Sequence, residues 1–144
     1  MFSKSCEYGI RAAIFIAEES SKGRKTGIKE IAAQIDSPEA FTAKILQTLV
    51  KHQIITSTKG PSGGFYIPAE SLSEIKLVEI VSAIDGDAVF KNCALGLDTC
   101  SEDSPCPLHN EFKRIRDELE TMLRSVSFED LTAKLHSKQT FLKR

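Results

Sequence analysis

No long apolar run occurs in this sequence, and the longest hydrophobic stretches, such as residues 12–17, cover only a few positions. A membrane-spanning helix needs about 20 apolar residues, so we expect no segment that crosses a membrane. Residues 1–5 lack the apolar core of a secretory signal, which favours a cytoplasmic location. The 144 residues are 41% hydrophobic and 27% charged, and these fractions are typical of a soluble globular chain.

The motifs of the common enzyme classes are also missing. The sequence shows no nucleophile with a matching base, no dinucleotide-binding fingerprint and no metal-hydrolase motif. We therefore predict that the protein is not an enzyme.

Acidic residues are absent between Glu39 and Glu70, although the whole chain carries a formal net charge of −1. Residues 1–76 contain ten Lys or Arg and eight Asp or Glu, whereas residues 77–144 contain nine and twelve, so the two parts carry +2 and −3. The acid-free segment includes Lys44, Lys51 and Lys59. Such a segment favours contact with phosphate groups, and hence with nucleic acid.

Three helices are predicted before this segment ends. Apolar residues recur at helical spacing over residues 5–20, a second helix begins after Gly27, and a third begins at Ser37 as N-cap with Pro38 in the first helical position. The second and third helices, joined by a short connection, match a helix-turn-helix, whose second helix enters the major groove. The alternative is a plain helical core with a solvated face.

A glycine-rich hairpin is predicted next. Residues 54–58 are rich in β-branched side chains, residues 59–64 form the turn, and residues 65–67 form the returning strand. We interpret this hairpin as a wing whose glycines allow close approach to a sugar-phosphate backbone and whose Lys59 contacts phosphate or the minor groove. A phosphate-binding loop of nucleotide-binding proteins would require Gly-Lys-Ser/Thr opening a helix, and residues 65–67 do not match it.

The second half contains a fourth helix, a cysteine loop and a long helix. The fourth helix ends at Asp85 and Gly86, and the cysteine loop follows over residues 87–107. From residue 108 the apolar positions alternate in steps of four and three, which predicts a helix that pairs with a second copy of itself. We call these positions the apolar stripe: Leu108, Phe112, Ile115, Leu119, Met122 and Val126. A short last helix follows, starting with Ser127 as cap.

The predicted fold is mostly α with a small β-hairpin. It divides into a winged helix-turn-helix domain at residues 1–86, a cysteine-rich sensor loop at 87–107, and a dimerisation helix with a C-terminal helix at 108–144. Residues of the third helix and the wing are the candidate DNA contacts: Ser37, Pro38, Ala40, Phe41, Thr42, Lys44, Gln47, Thr48, Lys59, Gly60, Ser62, Gly63 and Gly64.

Three of the four cysteines lie in the cysteine loop. Cys93, Cys100 and Cys106 are followed by His109 in the pattern C-x6-C-x5-C-x2-H. Soft thiolate ligands favour an iron-sulfur cluster, copper(I) or zinc. Structural zinc sites use more closely spaced cysteines than these, and free thiols without any cofactor can also report oxidation. The loop is thus a candidate redox sensor, with or without a metal.

Several segments together resemble the bacterial IscR/NsrR/CymR family of winged-helix regulators. They are residues 7–12 (Glu-Tyr-Gly-Ile-Arg-Ala), 28–32, 37–41, the wing sequence Lys-Gly-Pro-Ser-Gly-Gly-Phe at 59–65, and the three-cysteine loop. The resemblance implies a homodimer crossed through the long helix, which binds a palindromic operator as a repressor or activator. It also implies an iron-sulfur cluster, [2Fe–2S] or [4Fe–4S], in many members.

By position, the resemblance carries over ligands and contacts. Cys93, Cys100 and Cys106 take the thiolate positions of the cluster. The fourth ligand is either His109, as in IscR-like proteins, or Glu7 from the other subunit, as in NsrR-like proteins. Lys59 occupies the basic site of the wing. A regulator without a cofactor, controlled by thiol oxidation or by a protein partner, is the alternative function.

Overall fold

The computed structural model describes residues 1–143. Within them, α1 spans Lys4–Ser21, α2 Ile28–Ile35, α3 Glu39–Lys51, β1 Thr56–Thr58, β2 Gly64–Tyr66, α4 Leu77–Asp85, α5 Ala88–Lys91, α6 His109–Ser125 and α7 Phe128–His136. A single turn of 3-10 helix, Ala69–Ser71, links β2 to α4. The chain is therefore mostly helical with one two-stranded antiparallel sheet, as predicted. No helix within residues 1–143 is long and apolar enough to cross a membrane.

The apolar core forms around α1. Ile16, Ile31, Leu46 and Leu49 are fully buried there, together with Phe128 from the start of α7. The C-terminal helix thus shares a core with the first three helices. Burial of a large apolar side chain contributes on the order of 1.5–3 kcal/mol, so this shared core is a main source of stability.

The helix-turn-helix is closed by a connection of three residues. α2 ends at Ile35, its C-cap Asp36 has a left-handed backbone (φ 54°), and α3 starts after Pro38. The predicted N-cap at Ser37 is wrong by one position: Pro38 is the cap residue and makes no side-chain cap hydrogen bond. The Thr42 hydroxyl instead donates to the carbonyl oxygen of Pro38 at 2.9 Å, which fixes the first turn of α3 from inside the helix.

The hairpin is short and has a third element. β1 pairs with β2 in the register Thr56 to Tyr66 and Thr58 to Gly64. Thr26, just before α2, adds an antiparallel bridge to Phe65. The two predicted strands are confirmed with shifted bounds: β1 begins at Thr56, after the buried residues 54 and 55, and β2 covers residues 64–66 instead of 65–67.

The second half departs from the predicted boundaries at two points. The cysteine loop contains the short helix α5, and α6 begins at His109, two residues after Pro107. The last helix starts as predicted, because Ser127 and Asp130 form a reciprocal capping box. A backbone bridge between Lys76 and Ser127 fastens the end of α6 to the start of α4.

Candidate functional site

The outer face of α3 beyond Glu39 is exposed and carries no charge other than that of its lysines. Pro38, Ala40, Lys44 and Gln47 are exposed, while Ser37 and Thr48 are half-buried. The Thr48 hydroxyl donates to the carbonyl oxygen of Lys44 at 3.2 Å. These side chains form one accessible surface on the second helix of the helix-turn-helix.

Two predicted contact residues of α3 face inward instead. Thr42 has 0% exposure, and its hydroxyl also contacts the Ser37 hydroxyl oxygen at 3.1 Å. Phe41 is half-buried, with its ring edge-on to Tyr8 at 5.6 Å between centroids. Phe41 packs α3 against α1 through Tyr8, whereas Thr42 is bound to the start of its own helix and is not available to a ligand. The apolar spacing of Phe41, Ile45 and Leu49 already indicated part of this packing.

Two glycines of the wing, Gly63 and Gly64, are needed for the hairpin to fold. A side chain at Gly63 would place its Cβ 2.3 Å from the carbonyl oxygen of Thr58, and one at Gly64 (φ 141°) would lie 2.9 Å from that of Thr26. Gly63 therefore lets the hairpin turn close, and Gly64 lets the hairpin pack on Thr26. Gly60 and Ser62 are exposed at the tip beside Lys59.

Lys25 is a cation at the wing that the sequence analysis did not single out. Its Nζ lies 3.3 Å from the Thr58 hydroxyl oxygen and 4.9 Å from the centroid of the Tyr66 ring. It precedes the Thr26 bridge, so its position depends on a pairing distant in sequence. The three exposed lysines Lys25, Lys44 and Lys59 thus belong to the helix-turn-helix and the wing.

The cysteine loop brings the four candidate ligands of this segment into two contacting pairs. The Sγ atoms of Cys93 and Cys106 are 3.8 Å apart, and the Cys100 Sγ lies 3.3 Å from Nδ1 of His109. Within residues 1–143, no group of three or more metal-binding side chains is closed around a position for a single ion. The four candidate ligands therefore form two separate pairs.

The chemistry of the donors fits a metal-sulfur group. The pKa of the Cys93 thiol is lowered, first by the backbone N–H of Leu95, then by that of Leu97, so the thiolate is favoured there. His109 is buried, and its Nε2 has no hydrogen-bond partner among the described residues. A buried unpartnered nitrogen is uncommon in folded proteins, and its presence among three thiols is consistent with a ligand-binding loop.

Glu7 lies outside this arrangement in the single chain. It is on the first turn of α1, where its carboxylate accepts a hydrogen bond from Lys4 Nζ at 2.8 Å. This hydrogen bond lowers the pKa of Glu7. The prediction that Glu7 reaches a cluster concerns a second subunit and stays a prediction.

Arg116 is a member of the cysteine site that the sequence analysis missed. Its Nη2 donates to the Cys100 Sγ at 3.1 Å, and its Nη1 donates to the carbonyl oxygen of Asn92. The sequence gives one hint of this contact. Arg116 follows Ile115 of the apolar stripe and so lies about 100° from it around the helix axis, on a different face of α6.

The apolar stripe of α6 is largely uncovered. Leu108, Phe112, Ile115 and Met122 are 41%, 39%, 53% and 45% exposed. Leu119 and Val126 are half-buried. Leu123, which lies outside the stripe, is fully buried against Val78 and Val81 of α4. α6 therefore has two apolar faces, and one of them has no partner within residues 1–143.

Three helices followed by a two-stranded wing define a winged helix-turn-helix protein. The chain belongs to the Rrf2 family, whose model, described as "Iron-dependent Transcriptional regulator", matches residues 2–134. It is accordingly a transcriptional regulator, and the prediction that it is not an enzyme is confirmed by this membership.

Individual relatives agree with the family. The chain is 25% identical over 124 residues to the HTH-type transcriptional regulator IscR of Photorhabdus laumondii, covering 86% of this chain and 74% of that one. Among solved structures, CymR, the global cysteine regulator of B. subtilis, superposes with a TM-score of 0.76 at 22% identity, covering 92% of this chain and 96% of that one. T. potens IscR gives a TM-score of 0.75 at 18% identity, with 97% and 91% covered.

Proposed function

We propose that this protein is a homodimeric, cytoplasmic regulator that binds a palindromic operator and senses redox, nitric oxide or iron-sulfur status through a cluster on its cysteine loop. The observation that carries the sensor is the pairing of Cys93 with Cys106 and of Cys100 with His109, at 3.8 and 3.3 Å. The observation that carries the dimer is the exposed apolar stripe that begins directly beside His109.

The two pairs favour a [2Fe–2S] cluster over a [4Fe–4S] cluster. In a two-iron cluster each iron takes two protein ligands, and histidine can replace cysteine at such an iron. The cluster would supply an oxidation state that changes with the cell's redox conditions. His109 is the preferred fourth ligand because it already contacts Cys100, while Glu7 is engaged with Lys4.

DNA binding is assigned to the exposed side chains of α3 and the wing. Pro38, Ala40, Lys44 and Gln47 would lie in the major groove, and Lys59 with the neighbouring Gly60 and Ser62 would contact the backbone or minor groove. We add Lys25, which lies beside Tyr66 at the wing. Thr42 is omitted because it is buried.

The cluster is tested on protein purified without oxygen. Wild-type protein should show visible charge-transfer absorption with bound iron and sulfide. Cys→Ala at position 93, 100 or 106 should abolish it, whereas Cys6→Ala should leave it intact, because Cys6 is buried with Val78 and Val81 of α4 in a cluster that includes none of the three loop thiols. Colourless wild-type protein without iron would remove the sensor from this proposal.

DNA binding is tested by the salt dependence of operator affinity. Lys59→Ala should weaken binding and reduce the salt slope by about 2, since the dimer loses one lysine from each subunit and each lysine neutralises about one phosphate. Lys134→Ala on α7 removes the same charge outside the acid-free segment and should change neither value. Equal slopes for wild type and Lys59→Ala would exclude the wing contact.

A cofactor-free thiol switch is the second candidate, and the 3.8 Å between the Cys93 and Cys106 sulfurs favours it. Oxidised glutathione would take the two thiol hydrogens and two electrons, leaving a Cys93–Cys106 disulfide and two molecules of reduced glutathione. Mass spectrometry of iron-free protein would detect that disulfide. Its formation together with a change in DNA affinity, in protein that never binds iron, would favour this candidate over the cluster. A stable complex with another protein on size exclusion would instead favour control by a partner.

A further inference from the structure

Arg116 connects α6 to two separate points of the cysteine loop. Nη1 donates to the carbonyl oxygen of Asn92, immediately before Cys93, and Nη2 donates to the Cys100 sulfur at 3.1 Å. The planar guanidinium presents several N–H donors in a fixed fork, so one side chain can hold both points at once. A lysine at this position would have the charge but not the fork.

The third donor of Arg116 is unused. Its Nε is buried and has no hydrogen-bond partner within residues 1–143, and the same is true of Nε2 of His109 in the same site. Burying a charged group's donor without an acceptor costs free energy. An anionic group with acceptor sulfurs, bound between the thiols, would provide the missing partner.

Arg116 also places a positive charge in direct contact with the Cys100 thiol. Lys113, one turn earlier on α6, is paired with Asp117 at 3.0 Å and lies 3.8 Å from Glu102. Hydrogen bonds to cluster sulfurs and the net charge around a cluster set its reduction potential. A positive hydrogen-bond donor stabilises the more negative, reduced state.

We propose that Arg116 is a positioning residue that holds Cys100 toward His109 and raises the reduction potential of a cluster bound at this loop. The proposal rests on the proposed function, because it concerns the same site. It has two separable parts: the hold on the loop, which exists without a cluster, and the effect on potential, which requires one.

The effect on potential is measured by redox titration of the visible absorption in anaerobically prepared protein. Arg116→Gln should shift the reduction equilibrium about tenfold toward the oxidised state, which is about 59 mV lower for one electron. Arg116→Lys should give a smaller shift in the same direction. Arg114→Gln is the matched control: Arg114 is exposed on the same helix and forms no hydrogen bond or ion pair with the described residues, so its removal should leave the potential unchanged.

The hold on the loop is measured by amide hydrogen exchange of the cluster-free protein. Both Arg116 variants should increase exchange in residues 93–100 severalfold, and Arg114→Gln should not. Unchanged exchange would overturn the positioning role. The tuning role would be overturned if both Arg116 variants had the same reduction potential as wild type. If the Gln variant does not retain a cluster, a wild-type potential in the Lys variant is enough to overturn it. Wild-type protein that binds no cluster would defeat the proposed function, and the exchange experiment would still decide the positioning role.

Discussion

A carboxylate placed in the apolar stripe should separate the two subunits. Ile115 is the most exposed of the four uncovered apolar side chains, at 53%. Fully burying an isoleucine contributes about 1.5–3 kcal/mol, so covering the exposed half contributes on the order of 1 kcal/mol. In a symmetric dimer this contribution occurs twice.

Ile115→Asp removes that contribution and adds the desolvation of two carboxylates. Burying an unpaired charge costs several kcal/mol, so the total loss is at least about 3 kcal/mol. Since each 1.4 kcal/mol is a factor of ten, the dimer dissociation constant should rise more than about 100-fold. A concentration series in the analytical ultracentrifuge measures it directly.

The control is Thr121→Asp, an exposed position on the same helix outside the stripe. At 100° per residue it lies about 120° from Ile115 around the axis, so it introduces the same charge on a different face. Its dimer affinity should match that of wild type. The reasoning is refuted if Ile115→Asp dimerises as tightly as wild type, or if the wild-type protein is a monomer at micromolar concentration.

Three further predictions concern the wing, the C-terminal helix and the buried thiol. Gly64→Ala should lower the free energy of unfolding in urea by about 1–3 kcal/mol, because φ is 141° and the new Cβ would lie 2.9 Å from Thr26. Gly60→Ala, where φ is 98° and the space is open, should lower it less. Equal losses of stability would mean that the Thr26 contact is unimportant. Hydrogen bonds from Ser127 lower the pKa of Asp130 below its usual range, so the ionised carboxylate stabilises the native state at neutral pH. The stability difference between wild type and Asp130→Asn should be largest there and shrink as the pH falls through the lowered pKa, and a difference independent of pH would exclude the capping box. Burial, and then the charge of Asp85, raises the pKa of Cys6 to about 12, so iodoacetamide should leave Cys6 unmodified in native protein at pH 8, and rapid labelling would contradict its burial.

Local signals in the sequence were sufficient for most of the fold. Gly27 and Ser127 start helices as expected, and the glycines at 60, 63 and 64 mark the turn between the two strands. These signals depend on a few neighbouring residues, whose backbone preferences hold in almost any context. The cap at Ser37 was misassigned by one position, because Pro38, which favours the first helical position, here lies just before the helix and Glu39 begins it.

The candidate site was only partly predictable, because its contacts join residues that are distant in sequence. The spacing of the cysteines identified the loop, but the pairing of Cys93 with Cys106 and Cys100 with His109 depends on how the loop folds. The roles of Arg116 and Lys25 arise from contacts across 16 to 33 positions, which no local pattern records. Thr42 has a polar side chain on an amphipathic helix, and only its contacts with Ser37 and Pro38 show that it faces inward.

The packing of α7 against α1 also bears on how this protein is degraded in the cell. Phe128 is the first residue of α7, three positions after the end of α6, and is one of the largest side chains with almost no exposure. Replacing a buried phenylalanine by alanine costs about 3–5 kcal/mol, so a cut between α6 and α7 followed by dissociation of α7 would cost the core around α1 a contribution of that order. Because that is a large share of a typical domain's stability, such a cut would destabilise the DNA-binding part of the chain as well.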